Sequence, residues 1–497
     1  MAMNKNALVV SIALLVGLSL SCSSLPHASD TSRPASRTAG EQIPSDTIQL
    51  GSQPPISETE SNRIKMLIQG LATIDKPTFG INGTLSGSAF SPIDSAYQVN
   101  SGLIMNHGFG TNSEFVELVK LGPKALPFLL QALDDKTPTK LVINNGVSFF
   151  GDMRFEHELA GNRANTNEQE ILNWPFERKS LRPDHRETLT NYTVTIGDAC
   201  FVAIGQIVGR PYQAVRYQPT AMIVINTPTH DDLLAKQVRA IWQSMNSAQH
   251  LLDSLLLDYA GGKNSDRRGF GDGAAMRLLY YFPQQTTNLI VQRLRSLGES
   301  KSDETSDFIR SLTFCEEPSI RDELRRIFES TTNVDMLCAT VPAMDGSRRR
   351  SARLRLERFL DQVPKQEDGY YDDGNKLLLA LGKNFGEDAK PAFQRYLKEA
   401  TVQRVITMTE VLERTQGIWS VELLAPYLSD TRKVGRWTYP SFPKEGEKQR
   451  QVRVCDAAAS TIAFNFRRLP FELKGDHKDL DAQIAVMRQK ISAGDFN

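Results

Sequence analysis

The stretch 121–135, "LGPKALPFLLQALDD", and the stretch 385–399, "FGEDAKPAFQRYLKE", align without a gap. They share Gly122/Gly386, Ala125/Ala389, Pro127/Pro391 and Leu133/Leu397, and they match in character at Leu129/Phe393 and Asp135/Glu399. Leu126, Leu129, Leu130 and Leu133 keep helical spacing. Gly122 ends the preceding helix "SEFVELVKL" and lets the chain turn, because a residue without a Cβ enters the left-handed region at little cost. Pro127 falls in the first turn of the next helix, where its missing N–H removes no hydrogen bond. Asp134 and Asp135 close that helix. The phrase predicts helix, Gly turn, Pro-started helix, acidic stop. A short amphipathic helix pair cannot bury its apolar face alone, so the phrase has to repeat and stack.

Weaker copies follow. "AAMRLLYYFPQQTTNLIVQRL" (274–294) reads as helix, Pro turn, helix, and "VELLAPYLSD" (421–430) ends on the same L-x-D close. A second-helix phrase also recurs: "VTIGDACFVAIGQIV" (194–208) and "VRVCDAAASTIAF" (452–464) align at Asp198/Asp456, Ala199/Ala457 and Ile204/Ile462. On these residues the chain resembles the HEAT-repeat family, whose unit is a helix pair of about 40 residues. The resemblance covers about 112–208 and 270–464. It implies a mainly all-α fold, a HEAT-like α-solenoid over 112–497 with small β-like insertions, and a surface presented to a protein partner instead of a catalytic centre.

Insertions interrupt the repeat near 136–192 and 431–451. The first contains "KLVINNGVSFFGDMRF", which reads as one or two strands; a further stretch, "YQAVRYQPTAMIVINTP" (212–228), also looks extended. Long loops inside a compact protein are functional or unfolded, and insertions after the same helix type should emerge on one rim. Trp437, Tyr439 and Phe442 cluster in the second insertion as a candidate binding rim. Folding of that loop onto its own helix pair is the alternative.

The chain has 497 residues, several times a domain of about 100–200 residues, so several domains or one long array is expected. Lys+Arg and Asp+Glu are equal at 58 each, which leaves no global field to attract nucleic acid. At the N-terminus Lys5 precedes the apolar run "ALVVSIALLVGLSL" and then "SCSS", the anatomy of a secretory signal over 1–22. Cys22 after that run resembles the lipobox of bacterial lipoproteins, which implies lipid attachment at Cys22 and an anchored protein in the periplasm or cell envelope. The pattern departs from the family at Ser19, where a Leu is usual, and Ser19 with Ser21 also suits plain secretory cleavage. Residues 23–58 have the composition of a flexible tether. Residues 59–111 should form a helix, around "ETESNRIKMLIQGLATI", and an irregular cap.

Cys200, Cys315, Cys338 and Cys455 form no C-x-x-C pair and read as small buried hydrophobes. Other chemistry-bearing patterns are incomplete. "FEHELAGN" has His157 and Glu158, but Gly161 stands where a zinc protease motif needs its second His. "GGKNSDRRGFGDGAA" (261–275) lacks the Gly-Lys-Ser/Thr of a phosphate loop, and "EDGYYDDGN" (367–375) lacks the alternation of a calcium loop. No cofactor or metal site is expected on these grounds. "GSRRRSARLRLERFLDQV" (346–363) is the strongest charge feature. Ala352, Leu356, Phe359, Leu360 and Val363 form an apolar stripe, and arginines fill the remainder. Such a helix is either packed with a solvated basic face or docked on an anionic surface through Arg349, Arg350 and Arg353. The leading functional expectation is an exported scaffold that binds a protein. The rival is a hydrolase or lyase whose site the inserts build around His157, His185 and His230.

Overall fold

The structure is a computed structural model that describes residues 48–51, 54–76, 90–93, 112–144, 152–156, 189–210, 212–218, 222–261, 270–297, 303–363, 373–398, 401–415, 417–439, 449–466 and 468–495. The described chain is mainly helical, with a few short strands. Among the described residues no helix is long and apolar enough to cross a membrane. The expected signal segment, Cys22 and residues 23–47 of the tether lie outside the described residues. So do His157, His185 and Phe442. The described end of the tether is fixed at 48–50, where the Leu50 N–H donates to the Gln249 side chain at 2.8 Å and the Ile48 carbonyl accepts from it at 2.9 Å. Contacts divide the chain into one unit of 31–293 with 314–317 and another built on 294–313 and 318–497.

In the first unit α1 (Glu58–Gly70) starts at the Ser57 cap, whose side chain accepts from the Glu60 N–H. It packs on α2 (Ser113–Leu121), which leads through the Gly122 turn into α3 (Leu126–Gln131). Gly122 has φ +55°, and the aromatic ring of Tyr281 lies where a Cβ would go. Leu126, Leu129, Leu130 and Leu133 are buried as their spacing requires, each contributing about 1.5–3 kcal/mol. Strand β1 (Pro138–Asn144) leaves the Asp135 stop. Strand β2 (Asp152–Phe155) follows, and β3 (Asn191–Thr195) returns antiparallel to β1 and runs directly into α4 (Ile196–Val208).

Helix α4 is buried along its whole length and packs on α2 and α3. Beyond it, β4 (Val215–Gln218) and β5 (Met222–Ile225) pair antiparallel, and β5 pairs parallel with β2, giving the order β2-β5-β4. Helices α5 (Asp232–Trp242), α6 (Ser247–Gly261), α7 (Phe270–Tyr281) and α8 (Pro283–Ser296) follow. A buried ion pair joins Arg210, after α4, to Asp258 on α6, and the Arg210 guanidinium lies 5.7 Å from the Trp242 ring centroid. Arg277 is fully buried, donating to the carbonyls of Gln206 (2.6 Å) and Gly273 (2.9 Å). Burial pushes its pKa down to about 10.

The second unit repeats one local plan. Helices α9 (Asp303–Ser311), α11 (Val334–Thr340), α13 (Asp373–Phe385), α15 (Val402–Thr415) and α17 (Val454–Asn465) form a row in which each touches the next. Alternating with them are α10 (Pro318–Ser330), α12 (Arg348–Gln362), α14 (Lys390–Leu397), α16 (Trp419–Leu424) and α18 (His477–Ser492). Gly386, between α13 and α14, has φ +55°, the same value as Gly122. Pro391 sits in the first turn of α14, as Pro127 does in α3.

Charged side chains bridge the alternating helices: Arg295 on α8 to Glu323 on α10 (2.7 Å), Arg348 on α12 to Glu329 on α10 (3.5 Å), and Arg395 on α14 to Glu357 on α12 (2.9 Å). Lys390 on α14 pairs with Glu422 on α16. The second insertion forms an antiparallel pair, β6 (Lys433–Tyr439) and β7 (Arg450–Arg453), that runs straight into α17. Helix α17 packs on α15 and so continues the row. Cys200, Cys315 and Cys455 are buried free thiols, as expected of small apolar residues, whereas Cys338 is half-buried.

Candidate functional site

The arginine helix α12 divides its charges between two neighbours. Gly346, at φ +48°, turns the chain after Ala343, whose carbonyl is held by the Arg321 guanidinium at 2.9 Å. Ala352, Leu356 and Leu360 then face the core, and Phe359 and Val363 are half-buried. One flank of the helix points forward to the next pair. Arg349 donates to the Asn384 carbonyl at the end of α13 and lies 5.5 Å from the Phe385 ring centroid. Arg353 donates to the Asp388 carbonyl and pairs with Glu357 at 3.1 Å. A cation at carbonyls that have no partner within their helix is favourable electrostatically. Arg350 is exposed and makes no hydrogen bond or ion pair among the described residues. Of the three arginines singled out from the sequence, Arg349 and Arg353 are engaged with the carbonyls of Asn384 and Asp388, and Arg350 has no partner among the described residues.

The opposite flank carries Arg348, Ser351, Arg355 and Arg358, at helical spacing, against α10. With Phe328 and Met344 they line a recess of about 260 Å³ that has Glu329 on its rim. Arg355 is held by two aromatic rings and a backbone carbonyl. Its guanidinium lies 5.7 Å from the Phe328 ring centroid and 5.3 Å from that of Phe359, and one Nη donates to the Thr331 carbonyl at 2.8 Å. Its Nε–H is buried without a partner among the described residues. Arg358 is exposed and likewise has no partner there. Three guanidiniums against one carboxylate make the recess electropositive, and its floor is apolar. None of Arg349, Arg350 and Arg353, the arginines singled out from the sequence for an anionic surface, lines this recess. Spacing shows which residues share a face; it does not show which neighbour closes over that face.

The aromatic insertion behaves differently. Tyr439 is 3% exposed and sits 6.1 Å, centroid to centroid, from His477 of α18. His477 shares a hydrogen bond of 3.0 Å with the Gln451 carbonyl of β7. Burial pushes the Tyr439 hydroxyl up to about 12, and that hydroxyl has no hydrogen-bond partner among the described residues. Tyr439 is therefore taken up in docking the hairpin onto its own helix pair, while Trp437 is half-buried.

His230 is exposed and stacks on Phe155 with centroids 4.9 Å apart. Beside it Tyr192 donates to Asp198 Oδ2 at 2.6 Å, and the Thr227 and Thr229 hydroxyls are 2.8 Å apart. Burial holds the Asp198 carboxyl above the usual carboxylate range, although the hydroxyls of Thr227 and Tyr192 and the Thr195 N–H favour its ionised form. Among the described residues no group of three or more His, Cys, Asp or Glu side chains is arranged to hold a metal ion. Comparison of the chain with family models, with curated proteins and with solved structures finds no match in any of the three.

Proposed function

We propose that this protein is an exported scaffold, anchored by lipid at Cys22, in which a HEAT-like α-solenoid presents its helix pairs to a protein partner in the bacterial envelope. The observation that carries this reading is the row α9, α11, α13, α15, α17, each helix covering the next, with an alternate helix beside each. Such a succession buries one apolar core while leaving a side chain surface that lengthens with every pair. The matched glycines at φ +55° and the matched prolines support the same repeating unit at two stations of the chain.

In-cell photo-crosslinking tests the proposal. A photoreactive amino acid at Arg358 or Trp437 of the full chain should give one discrete adduct in the envelope fraction. The same group in place of Leu356, which is 0% exposed, should give none. Absence of an adduct from every exposed position along the row would defeat the scaffold reading. Mass spectrometry of the mature N-terminus tests the anchor separately: an unacylated Cys22 would remove it.

A further inference from the structure

We propose that the recess between α10 and α12 is the seat of an acidic peptide segment that carries a bulky apolar side chain next to its carboxylates. This inference rests on the scaffold reading and names the chemistry of the partner at one place. Arg348, Arg355 and Arg358 present planar forks suited to carboxylates, which guanidiniums bind in pairs of parallel hydrogen bonds. The buried Nε–H of Arg355 has no acceptor among the described residues, a condition that costs free energy until a ligand or water meets it.

The floor favours an apolar side chain. Phe328 and Met344 are the buried apolar members of the lining, whereas Arg348 and Arg358 are exposed, and methionine adapts its shape to whatever packs on it. At about 260 Å³ the recess is smaller than the roughly 300–1,000 Å³ of pockets that enclose a whole small ligand. It accommodates one side chain of a longer segment, with the flanking acids reaching the arginines. Glu329, on the rim, offers an acceptor to a peptide N–H, whereas it would repel an anionic lipid headgroup.

A flat anionic surface fits the helix less well. Arg349 and Arg353 are turned onto backbone carbonyls of the following pair, so α12 does not present its arginines as one exposed sheet of charge. The remaining cations converge on a concavity, and a membrane surface does not enter one.

Fluorescence anisotropy on the full chain tests the assignment with a fluorescein-labelled peptide in which Leu-Phe is flanked by glutamates. Arg358→Glu and Arg348→Glu should each weaken binding by about tenfold or more, and raised salt should weaken it further. Arg350→Glu makes the same change of charge on the same helix outside the recess, and it should leave affinity within about twofold. Thermal unfolding of Arg350→Glu and Arg358→Glu should match the parent, since both residues are exposed. Replacing Leu-Phe by Ser-Ser should abolish binding.

Equal loss in Arg350→Glu would reduce the effect to diffuse charge and overturn the proposal. Equal binding of the Ser-Ser peptide would remove the role of the floor, and no binding of the Leu-Phe peptide would also overturn it. So would recruitment of the protein by phosphatidylglycerol vesicles that Arg358→Glu abolishes, which would assign the cations to lipid. If the crosslinked adduct persists while these peptide results fail, only the recess assignment falls. Loss of both defeats the scaffold reading as well.

Discussion

The two hairpin insertions, β1/β3 and β6/β7, are built on one frame and stabilise the same buried carboxylate in opposite ways. Asp135 and Asp430 each close a Leu-x-Asp phrase, and each accepts at Oδ1 from the N–H two residues on, at 2.9 and 3.0 Å. Their carbonyls each accept from the second residue of the helix after the hairpin, Gly197 and Cys455, both at 2.9 Å. Both hairpins have a break in register, between Pro138 and Val142 and between Lys433 and Thr438. Asp198 and Asp456, both fully buried, accept at Oδ2 from the N–H of the helix cap at 2.8 and 2.9 Å.

The surroundings of the two acids then diverge. Asp198 is met by the neutral Tyr192 hydroxyl, and burial raises its pKa. Asp456 is met by Arg453 through Nε at 3.0 Å and Nη2 at 2.8 Å, and the same guanidinium reaches Asp481 at 2.7 Å. A repeated backbone device therefore does not dictate which partner meets the side chain within it. Whatever the preceding strand places over the acid decides that.

The largest break in this comparison should come from Arg453→Met. It leaves Asp456 buried without its cation and should cost about 3–5 kcal/mol in unfolding measurements on the second unit. The double variant with Asp456→Asn should recover a good part of that loss; no recovery would mean the guanidinium acts by packing alone. Next in size is Gly197→Ala. A Cβ there would lie 2.4 Å from the Leu133 carbonyl oxygen and 2.6 Å from Thr229 Cγ2, so a loss of about 1–3 kcal/mol is expected. The equivalent Cys455→Ala should cost about 1 kcal/mol, since only a small buried group is removed.

Tyr192→Phe should cost about 1–2 kcal/mol by stripping Asp198 of a donor in a buried site. The smallest effect is a difference in pH response. A carboxyl with a raised pKa in the fold stabilises the protein fully only below its ordinary value of 3.8 and loses that contribution as pH rises through the folded value. Asp198→Asn should flatten this fall in melting temperature with rising pH. An unchanged pH profile would show that Asp198 does not titrate in the fold.

Local features were legible in the sequence because their causes are local. Gly122 and Gly386 declare turns that need positive φ, and Pro127 and Pro391 declare first turns. The stripe Ala352, Leu356, Leu360 follows from helical period alone. The extended stretches 138–144 and 222–225 could be read as strands. Their partners could not, because β2 pairs in parallel with β5 across the whole of β3, α4 and β4. The recess was missed for the same reason, since three of its seven lining residues come from α10 and the turn at Met344. Tyr439 shows the converse: the sequence left open whether the aromatic cluster of the insertion is offered outward or folded onto its own helix pair, and Tyr439 is buried against His477 of α18.

The ionic latches along the alternating helices make the second unit unevenly stiff. Glu357 is 9% exposed at its side chain and holds both Arg353 and Arg395, so dissolved ions reach that seam poorly. Arg348 and Glu329, at 49% and 68%, stand in open solvent. Rising ionic strength slackens the α10–α12 seam first, while the apolar row holds the helices in sequence. The most salt-exposed of these pairs thus lies beside the electropositive recess, where an incoming acid would compete with Glu329 for Arg348.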